Sequence, residues 1–464
     1  MGTFDYLDTF IYTPVKYVGN GPGFNDNKGK NPVPDVPIGI AMINHPRGLS
    51  ADYRGNLYFA DEYNGCIRMV TRNENGDWVV RTLVGTGEEA GSVEPPNGVF
   101  AQGIELYEPM GIDVSEHCDY VVFLNTDSHL VHLLEMDHPA GVYEHDIYYR
   151  GALLYAAGTP YPAGPWLTTI AGQYISGSAG GYYQPPDNDA MKARFRYPQG
   201  IAITRDTAVV YVADTDNNVI RKLTRIQPGQ WEITLFAGSS TASAGYGGDN
   251  GPALGALLNK PVGIALDDKN ENLYIADMNN QRVRKINLLT NIITTVAGNG
   301  QIPPNQYTNV NDGKVSQLGA PLYQVALFKY LSDVAVDAHG NIYVADQSQN
   351  RIRKILADLS EIQTIYGNGA NILIQAPRGI TVNWAGEVFV SDTEGAKIWR
   401  LTPEGLTDNN YPPAPRCAEA VVGAKVKLNA AKEAIGAPLV CGQFTLGLHD
   451  KSGKLISTTT NNTV

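Results

Sequence analysis

Short apolar runs separated by polar turns recur along most of this chain. The runs are rich in Val, Ile and Tyr, and Gly, Asn and Asp stand between them, which is typical of antiparallel strands joined by tight turns. One phrase recurs: Pro-x-Gly with an apolar strand, a turn, an aromatic strand ending in Ala-Asp, a polar turn and an Ile-Arg strand. Its six copies start at Pro46, Glu108, Tyr197, Lys260, Tyr330 and Ala376. The pattern predicts an all-β repeat.

A fourth apolar run ending in Gly follows most copies, in segments 78–87, 166–172, 231–238, 292–300 and 361–369. The sixth copy lacks this run, but segment 10–21, FIYTPVKYVGNG, matches it at the other end of the chain. Radially repeated four-stranded units form a β-propeller, which leaves only short edges. We therefore predict a six-bladed β-propeller over residues 1–405, in which the N-terminal strand 10–21 completes the last blade. An insertion is expected in the second copy, near 135–165.

The repeated phrases, such as KPVGIALDDKNENLYIADMNNQRVRKI from Lys260, resemble NHL repeats. The resemblance covers about residues 9–405 and implies a six-bladed propeller. Related propellers include a zinc lyase that acts on amidated peptides, lactonases and strictosidine-synthase-like proteins. The resemblance therefore implies that an enzyme has to be weighed against a binding protein.

Composition narrows the classes of function. The 464 residues carry a net charge of −12, and an acidic surface repels nucleic acid instead of attracting it. No apolar run reaches the length of a membrane span. Residues 1–8 lack the basic and apolar regions of a secretory signal, so either the protein is cytosolic or the sequence starts after a removed segment. We expect no nucleic-acid partner and no membrane span.

Each copy except the second ends its second strand in Asp, and four copies carry Arg seven residues later. A ring of metal-binding carboxylates is one interpretation. We favour another, in which each Asp accepts N–H bonds from the turn that follows it and each Arg packs its stem on neighbouring strands. The Asp residues are Asp61, Asp214, Asp277, Asp346 and Asp392, and the Arg residues are Arg68, Arg221, Arg284 and Arg353.

Candidate chemistry is sparse. His129 and His132 are the one closely spaced His pair, and residues i and i+3 of a strand point to opposite faces, which makes a poor metal clamp. We predict no catalytic, cofactor-binding or metal-ligating residue. The loops that join the blades are rich in Tyr and in Asp-Asn-Gly, and suit contact with protein or glycan. The candidate binding residues are Tyr182, Tyr183, Tyr246, Asp249 and Asn250. Calcium is the one cofactor that Asp-Asn-Gly leaves open, although no full twelve-residue Ca²⁺ loop follows.

The sequence changes character after the propeller. Residues 406–416 form a Pro-rich linker, and within the β tail 417–464 the segment GQFTLGLHDKSGKLISTTTN has the pattern of a β-hairpin. The tail resembles the first part of the pilin isopeptide-bond domains of Gram-positive surface fibres. Lys432 stands where that family has its crosslinking Lys. Gln443 replaces the catalytic Glu, and an amide cannot shuttle a proton as a carboxyl group does.

The cysteines are expected to have different fates. Cys66 and Cys118 fall at opposite ends of the predicted propeller, so a bond between them is not expected. Cys417 and Cys441 flank the start of the tail and either pair or stay as free thiols.

Charge divides unevenly between propeller and tail. From residue 412 onward six Lys and Arg stand against three Asp and Glu, so this end carries +3 and the rest −15, which favours head-to-tail contact. Because two or three strands cannot bury a core alone, another subunit could complete the tail by β-augmentation. We expect a non-enzymatic, extracellular or cell-surface structural or adhesive protein that binds itself, another surface protein or a glycan. The alternative is a metal-dependent propeller hydrolase or lyase with its site in the central channel.

Overall fold

The computed structural model describes residues 12–24, 35–87, 97–101, 103–115, 118–149, 152–174, 182, 184–303, 312–367 and 373–403, and the strand segments 427–428, 434–435, 444–449 and 455–461. The chain divides into two compact units, Met1–Thr407 and Asp408–Val464. Among the described residues, no helix has the length and apolar character needed to cross a membrane.

The first unit contains six antiparallel sheets, or blades, whose strands are named a to d from the innermost outward. Blade 1 is Pro46–Ala51, Leu57–Asp61, Cys66–Arg72 and Trp78–Val84. Blade 2 is Pro109–Val114, Tyr120–Asn125, Leu130–His138 and Gly164–Ala171. Blade 3 is Gly200–Ile203, Val209–Asp214, Val219–Gln227 and Gln230–Ala237. Blade 4 is Pro261–Leu266, Asn272–Asp277, Arg282–Asn287 and Ile292–Ala297.

The remaining two blades complete the ring. Blade 5 is Leu331–Val336, Ile342–Asp346, Arg351–Ile355 and Glu361–Tyr366. Blade 6 is Pro377–Val382, Val388–Asp392, Lys397–Pro403 and Tyr12–Val18. Among the described residues, short fifth strands border four of the blades, at Val36–Pro37, Val99–Phe100, Gly251–Pro252 and Gly313–Lys314. The described helices are short: Glu62–Asn64, Ala190–Lys192, Thr215–Asn217, Met278–Asn280, Val315–Leu318, Leu322–Val325 and Gln347–Gln349.

The ring closes as predicted. Each strand a contacts strand a of the next blade, and that of blade 6 contacts that of blade 1. The N-terminal strand Tyr12–Val18 pairs antiparallel with Lys397–Pro403, with Tyr12 opposite Pro403 and Lys16 opposite Trp399. The all-β, six-bladed propeller closed by the N-terminal strand is therefore confirmed.

The Gly of the Pro-x-Gly phrase permits the close approach of neighbouring innermost strands. In four blades, a Cβ at this Gly would lie 2.0 to 2.5 Å from the carbonyl oxygen of residue x in the next blade. The contacts are Gly48 to Met110, Gly111 to Gln199, Gly200 to Val262 and Gly379 to Arg47. Contact at that distance is impossible for any residue with a Cβ unless the strands move apart, so the Gly sets the width of the channel.

Apolar side chains of neighbouring blades fill the space between them. Between blades 1 and 2, for example, Tyr58 and Ile67 pack in one buried cluster with Phe123 and Leu134. Cys66 and Cys118 are both buried and form no disulfide with each other, as predicted.

Blade 2 carries the expected insertion, between its strands c and d. Gly141–Val142 pairs with Pro160–Tyr161, and inside this ribbon Ile147–Tyr149 pairs with Ala152–Tyr155. The second unit contains the predicted hairpin, Phe444–His449 with Leu455–Asn461. It also contains the short pair Lys427–Leu428 and Ala434–Ile435.

Candidate functional site

The two ends of the propeller differ in their connections. The a–b and c–d turns lie at one end, and the b–c turns and the loops from strand d to the next strand a lie at the other. We call the loops from strand d to the next strand a the inter-blade loops. We call the end of the propeller where they lie the loop face. The loop face is where the candidate binding residues of the sequence belong.

A buried ion pair recurs beneath the loop face in four blades. The Asp that ends strand b pairs with the Arg seven residues later, and all eight side chains are fully buried. The N to O distances are 2.9 Å for Arg68 and Asp61, 3.1 Å for Arg284 and Asp277, 3.5 Å for Arg221 and Asp214, and 3.8 Å for Arg353 and Asp346. These residues therefore hold the blades together internally.

The predicted partners of these four Asp residues need correction, whereas Asp392 of blade 6 accepts an N–H bond from the turn that follows it, as predicted, from Gly395 at 3.0 Å. The Asp side chains accept backbone N–H bonds from the inter-blade loops before strand a, from Asn44, Arg196, Asn259 and Lys329. The turn that follows supplies side-chain amides instead, from Asn64, Asn217 and Asn280. The Arg side chains do not merely pack their stems, because the guanidinium groups themselves are buried against carboxylates.

Blades 2 and 6 replace the Arg, and each keeps the site compensated. In blade 2 the equivalent residues are Asn125 and His132, and burial lowers the pKa of His132 to about 3, so the ring is neutral. In blade 6, Trp399 donates from Nε1 to Oδ2 of Asp392 at 3.1 Å. Where the Arg is lost, the carboxylate is therefore either replaced by an amide or given another N–H donor.

The candidate residues Tyr246 and Asp249 lie together and are tied to this buried layer. Oδ1 of Asp249 accepts from Arg284 Nη2 at 2.7 Å, and its Oδ2 accepts from the Tyr246 hydroxyl at 2.8 Å and from Thr295 Oγ1 at 2.7 Å. The Tyr246 ring lies over the guanidinium of Arg282 at 3.6 Å. Burial alone would raise the pKa of Asp249, but the hydrogen bond from Thr295, the charge of Arg284 and the hydrogen bond from Tyr246 together lower it. Asp249 therefore anchors its loop, and Tyr246 remains partly exposed.

The remaining candidate residues make different contacts. Tyr182 lies over Arg221, 5.2 Å from guanidinium to ring, in a different blade. Asn250 has a left-handed backbone, and its N–H donates to the carbonyl of Ile293 at 2.8 Å. Tyr183 lies outside the described residues, as do Lys432, Cys417 and Cys441. The binding role of these loops stays a prediction.

The loop anchor was not foreseen from the sequence. The buried Arg of blades 3 and 5 holds a residue that takes the place of Asp249: Gln184 Oε1 at 2.7 Å from Arg221, and Asp312 Oδ1 at 2.5 Å from Arg353. Within the part of the chain that the structure describes, the second nitrogen of the buried Arg therefore holds an inter-blade loop in blades 3, 4 and 5.

A second layer surrounds the mouth of the central channel on the loop face. The residue before each Pro-x-Gly or its equivalent is left-handed, with φ between 46° and 55°. These six residues are His45, Glu108, Tyr197, Lys260, Tyr330 and Ala376. The middle residues of the phrase are Arg47, Met110, Gln199, Val262, Ser332 and Arg378. The backbone is thus repeated while the side chains change from blade to blade.

Two carboxylates lie among the innermost strands. Asp113 in blade 2 accepts from Ser50 Oγ at 2.8 Å and from the N–H of Ile203 at 2.9 Å. Asp333 in the opposite blade 5 accepts from the N–H of Ile380 at 2.9 Å. Burial raises the pKa of Asp113 to about 6 and that of Asp333 to about 7. Each carboxylate ties neighbouring blades, and the described residues include no group of three or more side chains suited to a metal ion.

An aromatic cleft lies beside the blade 2 insertion. Tyr143 stacks on Tyr155 with ring centroids 4.6 Å apart, and Tyr161 lies 4.6 Å from Trp166. Together with Met69 and other residues, Tyr143, Tyr155 and Tyr161 line a cleft of about 640 Å³ between the insertion and blade 1.

Residues 166–287 match the Teneurin NHL domain family. The chloroplastic protein SUPPRESSOR OF QUENCHING 1 of Arabidopsis thaliana is 26% identical over 236 residues, which are 47% of this chain and 21% of that protein. NHL repeat-containing protein 2 of Homo sapiens is 24% identical over 173 residues, which are 35% of this chain and 21% of that protein. The chain thus spans about a fifth of the length of these relatives.

The fold has a counterpart among solved structures. A crystal structure of a protein of unknown function from Bacteroides thetaiotaomicron aligns with a TM-score of 0.50 and 15% identity, over 85% of this chain and 77% of that chain. At this identity the likeness concerns the fold alone.

Proposed function

Because this chain is a six-bladed β-propeller of NHL repeats, we propose that it is a non-enzymatic binding protein with an extracellular structural or adhesive role. Its propeller presents the loop face to a partner. Its second unit attaches the protein to a further copy, head to tail.

The division between repeated and variable residues supports the binding role. The residues that repeat, such as Asp61 and Arg68, are buried and bonded to one another. The residues around the channel mouth occupy equivalent backbone positions but range from Lys260 and Glu108 to Ala376. A rigid scaffold that carries changing surface side chains is typical of recognition proteins.

Charge and topology support the head-to-tail contact. The end of the chain from residue 412 carries +3 and the rest −15. In the part of the second unit that the structure describes, the hairpin Phe444–His449 with Leu455–Asn461 pairs with no third strand. Two-stranded hairpins are marginal alone, and their open edges accept a strand from another chain.

Sedimentation velocity of the full chain tests the contact. We expect larger species at low ionic strength and high protein concentration, and monomers at high ionic strength, because salt screens the attraction. A single monomeric species under all of these conditions would contradict head-to-tail assembly.

Two charge-reversal variants locate the contact. Lys451→Glu with Lys454→Glu changes the charge of the tail from +3 to −1, and we expect it to abolish association. Lys16→Glu with Lys269→Glu makes the same change in net charge at exposed positions of the propeller and should leave association intact. Equal loss in both variants would show that net charge, and not the tail, controls association.

A further inference from the structure

The two Arg residues at the channel mouth occupy equivalent positions in adjacent blades. Arg378 is the middle residue of Pro-Arg-Gly in blade 6, and Arg47 is the middle residue of the same phrase in blade 1. The strands touch here, since a Cβ on Gly379 would lie 2.1 Å from the carbonyl oxygen of Arg47. Two cations therefore stand side by side at one edge of the mouth.

Among the described residues, only one of these cations has a carboxylate partner. Arg47 donates from Nε and Nη2 to the two carboxylate oxygens of Glu62, at 2.7 and 2.8 Å, and Glu62 is almost fully buried. Among the described residues no carboxylate oxygen lies within 4.0 Å of Arg378. With its amide oxygen turned toward it, Gln347 accepts from Nε and Nη2 of Arg378 at 3.3 and 3.2 Å.

The surroundings of Arg378 make its charge costly. Burial first, and then the neighbouring charge of Arg47, lower the pKa of Arg378 to about 10. Arg378 therefore stays protonated at neutral pH while it is half-buried, and the described residues give it an amide oxygen but no carboxylate. An anionic group brought by a ligand would supply the missing counter-charge and use the planar fork of the guanidinium.

Aromatic rings flank the same edge of the mouth. His45 and Tyr63 stack with ring centroids 4.0 Å apart and 14° between their planes, and Tyr63 is 42% exposed. Tyr63 directly follows Glu62 and lies close enough to Arg378 to affect its pKa. The guanidinium can bind the anionic group of a ligand, and the flat, partly exposed ring beside it can pack against the rest of that ligand, either a ring or a short chain.

We propose that Arg378, supported by Gln347, binds the carboxylate of a small acidic ligand whose body lies against Tyr63. A carboxylate fits better than a phosphate, because Glu62 and Glu394 contribute negative charge nearby and would oppose a second charge on the ligand. The carboxylate can come from an acidic sugar or from an acidic amino acid. This inference rests on the proposed function, because it names the ligand class of the loop face.

Calorimetric titration of the full chain tests the site. The probes are D-glucuronate and the amide of N-acetyl-L-glutamate, which separate the two sources, together with methyl glucuronate ester and inorganic phosphate. We expect at least one carboxylate to bind and the neutral ester and phosphate to bind at least about tenfold more weakly. The inference is overturned if neither carboxylate binds at up to about 50 mM, or if the ester or phosphate binds as well.

Variants of Arg378 separate a binding role from a structural one. We expect Arg378→Gln to weaken binding at least about tenfold and Arg378→Lys, which keeps the charge but not the fork, to weaken it less. Arg205→Gln, at a partly exposed Arg of an a–b turn on the other end of the propeller, serves as the control and should bind normally. Binding by Arg378→Gln that equals the wild type would overturn the inference.

Thermal unfolding gives a second readout. Without ligand, Arg378→Gln should be as stable as the wild type or more so, because it removes an uncompensated charge. The carboxylate that binds should raise the Tm of the wild type and not that of the variant. Marked destabilisation of Arg378→Gln would assign Arg378 to the fold instead. A chain that self-associates without binding a carboxylate would overturn this inference and leave head-to-tail assembly standing.

Discussion

Arg68 donates from Nη1 to Oδ2 of Asp61 at 2.9 Å, and neither side chain is exposed. The same nitrogen donates to the carbonyl of Met42 at 2.7 Å, and Asp61 accepts from the N–H of Asn44 at 2.6 Å. One buried pair therefore joins strands b and c of blade 1 to the loop that precedes strand a. Removal of either partner leaves an unpaired charge in the interior.

We expect Asp61→Asn and Arg68→Met each to lower the free energy of unfolding by about 3–5 kcal/mol. The double variant should cost less than the sum by about 1–3 kcal/mol, because it removes both charges together. Urea unfolding of the full chain, followed by tryptophan fluorescence, measures these values. Arg205→Met, which breaks the exposed pair with Asp268, is the matched control and should cost less than about 1 kcal/mol. Strict additivity of the two variants would contradict the pairing.

The pairing of Asp61 with Arg68 could have been predicted from the sequence. Arg68 lies opposite Phe59 in the b–c ladder, and Phe59 and Asp61 point to the same face because strand residues alternate. The long Arg side chain then spans the two residues to the end of strand b. Blade 2 gives the same signal, since Asn125 replaces the Asp where His132 replaces the Arg.

The repeated phrase predicted the six blades and the closing strand correctly, because strand alternation and turn residues are local signals. The contacts of the loops are not local. The sequence predicts Tyr246 and Asp249 as binding residues of a loop, but Arg284, which anchors Asp249, lies 35 residues further along the chain. Arg378 has no carboxylate partner among the described residues. This follows from the closure of blade 6 on blade 1, which a local sequence pattern does not contain.

The close approach of the innermost strands predicts the effect of a single methyl group. A Cβ on Gly200 would lie 2.0 Å from the carbonyl oxygen of Val262. We expect Gly200→Ala to lower the free energy of unfolding by about 1–3 kcal/mol, because backbone on both sides must shift. Gly39→Ala is the control, since nothing lies within 4 Å of its added Cβ. Chemical denaturation of both variants measures the difference, and equal stability would show that the ring absorbs the methyl group.

The channel carboxylate of Asp333 predicts a dependence of stability on pH. Burial, the larger cause, and repulsion from Asp113 raise its pKa to about 7 in the folded protein, against about 4 in an unfolded chain. Between these values the folded state binds more protons, so the stability contributed by this group is present below about pH 4 and is lost as the pH rises through 7. We expect acidification from pH 8 to 5 to stabilise the wild type by about 1–3 kcal/mol relative to Asp333→Asn.

Denaturation midpoints at pH 5 and 8 measure this difference between the two proteins. Asp333→Asn also replaces one of the two carboxylate oxygens and so can weaken the bond from the N–H of Ile380, but this effect does not change with pH. The informative quantity is therefore the change in stability between pH 5 and pH 8. Ser332→Ala, in the same strand as Asp333, removes a hydrogen bond to the carbonyl of Pro377 in blade 6 and should keep the wild-type dependence of stability on pH. A variant Asp333→Asn that follows the wild type at both pH values would assign the titration to other groups.

The stacked rings beside blade 2 predict a local loss of structure. Tyr143 is almost fully buried, stacks on Tyr155 at 4.6 Å, and its hydroxyl accepts from the N–H of Phe100 at 3.3 Å. We expect Tyr143→Ala to destabilise the insertion by about 3–5 kcal/mol, as for other buried aromatic truncations. The insertion should then be cleaved within residues 139–163 by thermolysin, with the cuts located by mass spectrometry. Tyr143→Phe keeps the rings, should cost about 1 kcal/mol and should resist cleavage. A segment held mainly by these rings must open when the Tyr143 ring is removed. If thermolysin cleaves Tyr143→Ala no faster than the wild type, the insertion does not depend on this stack.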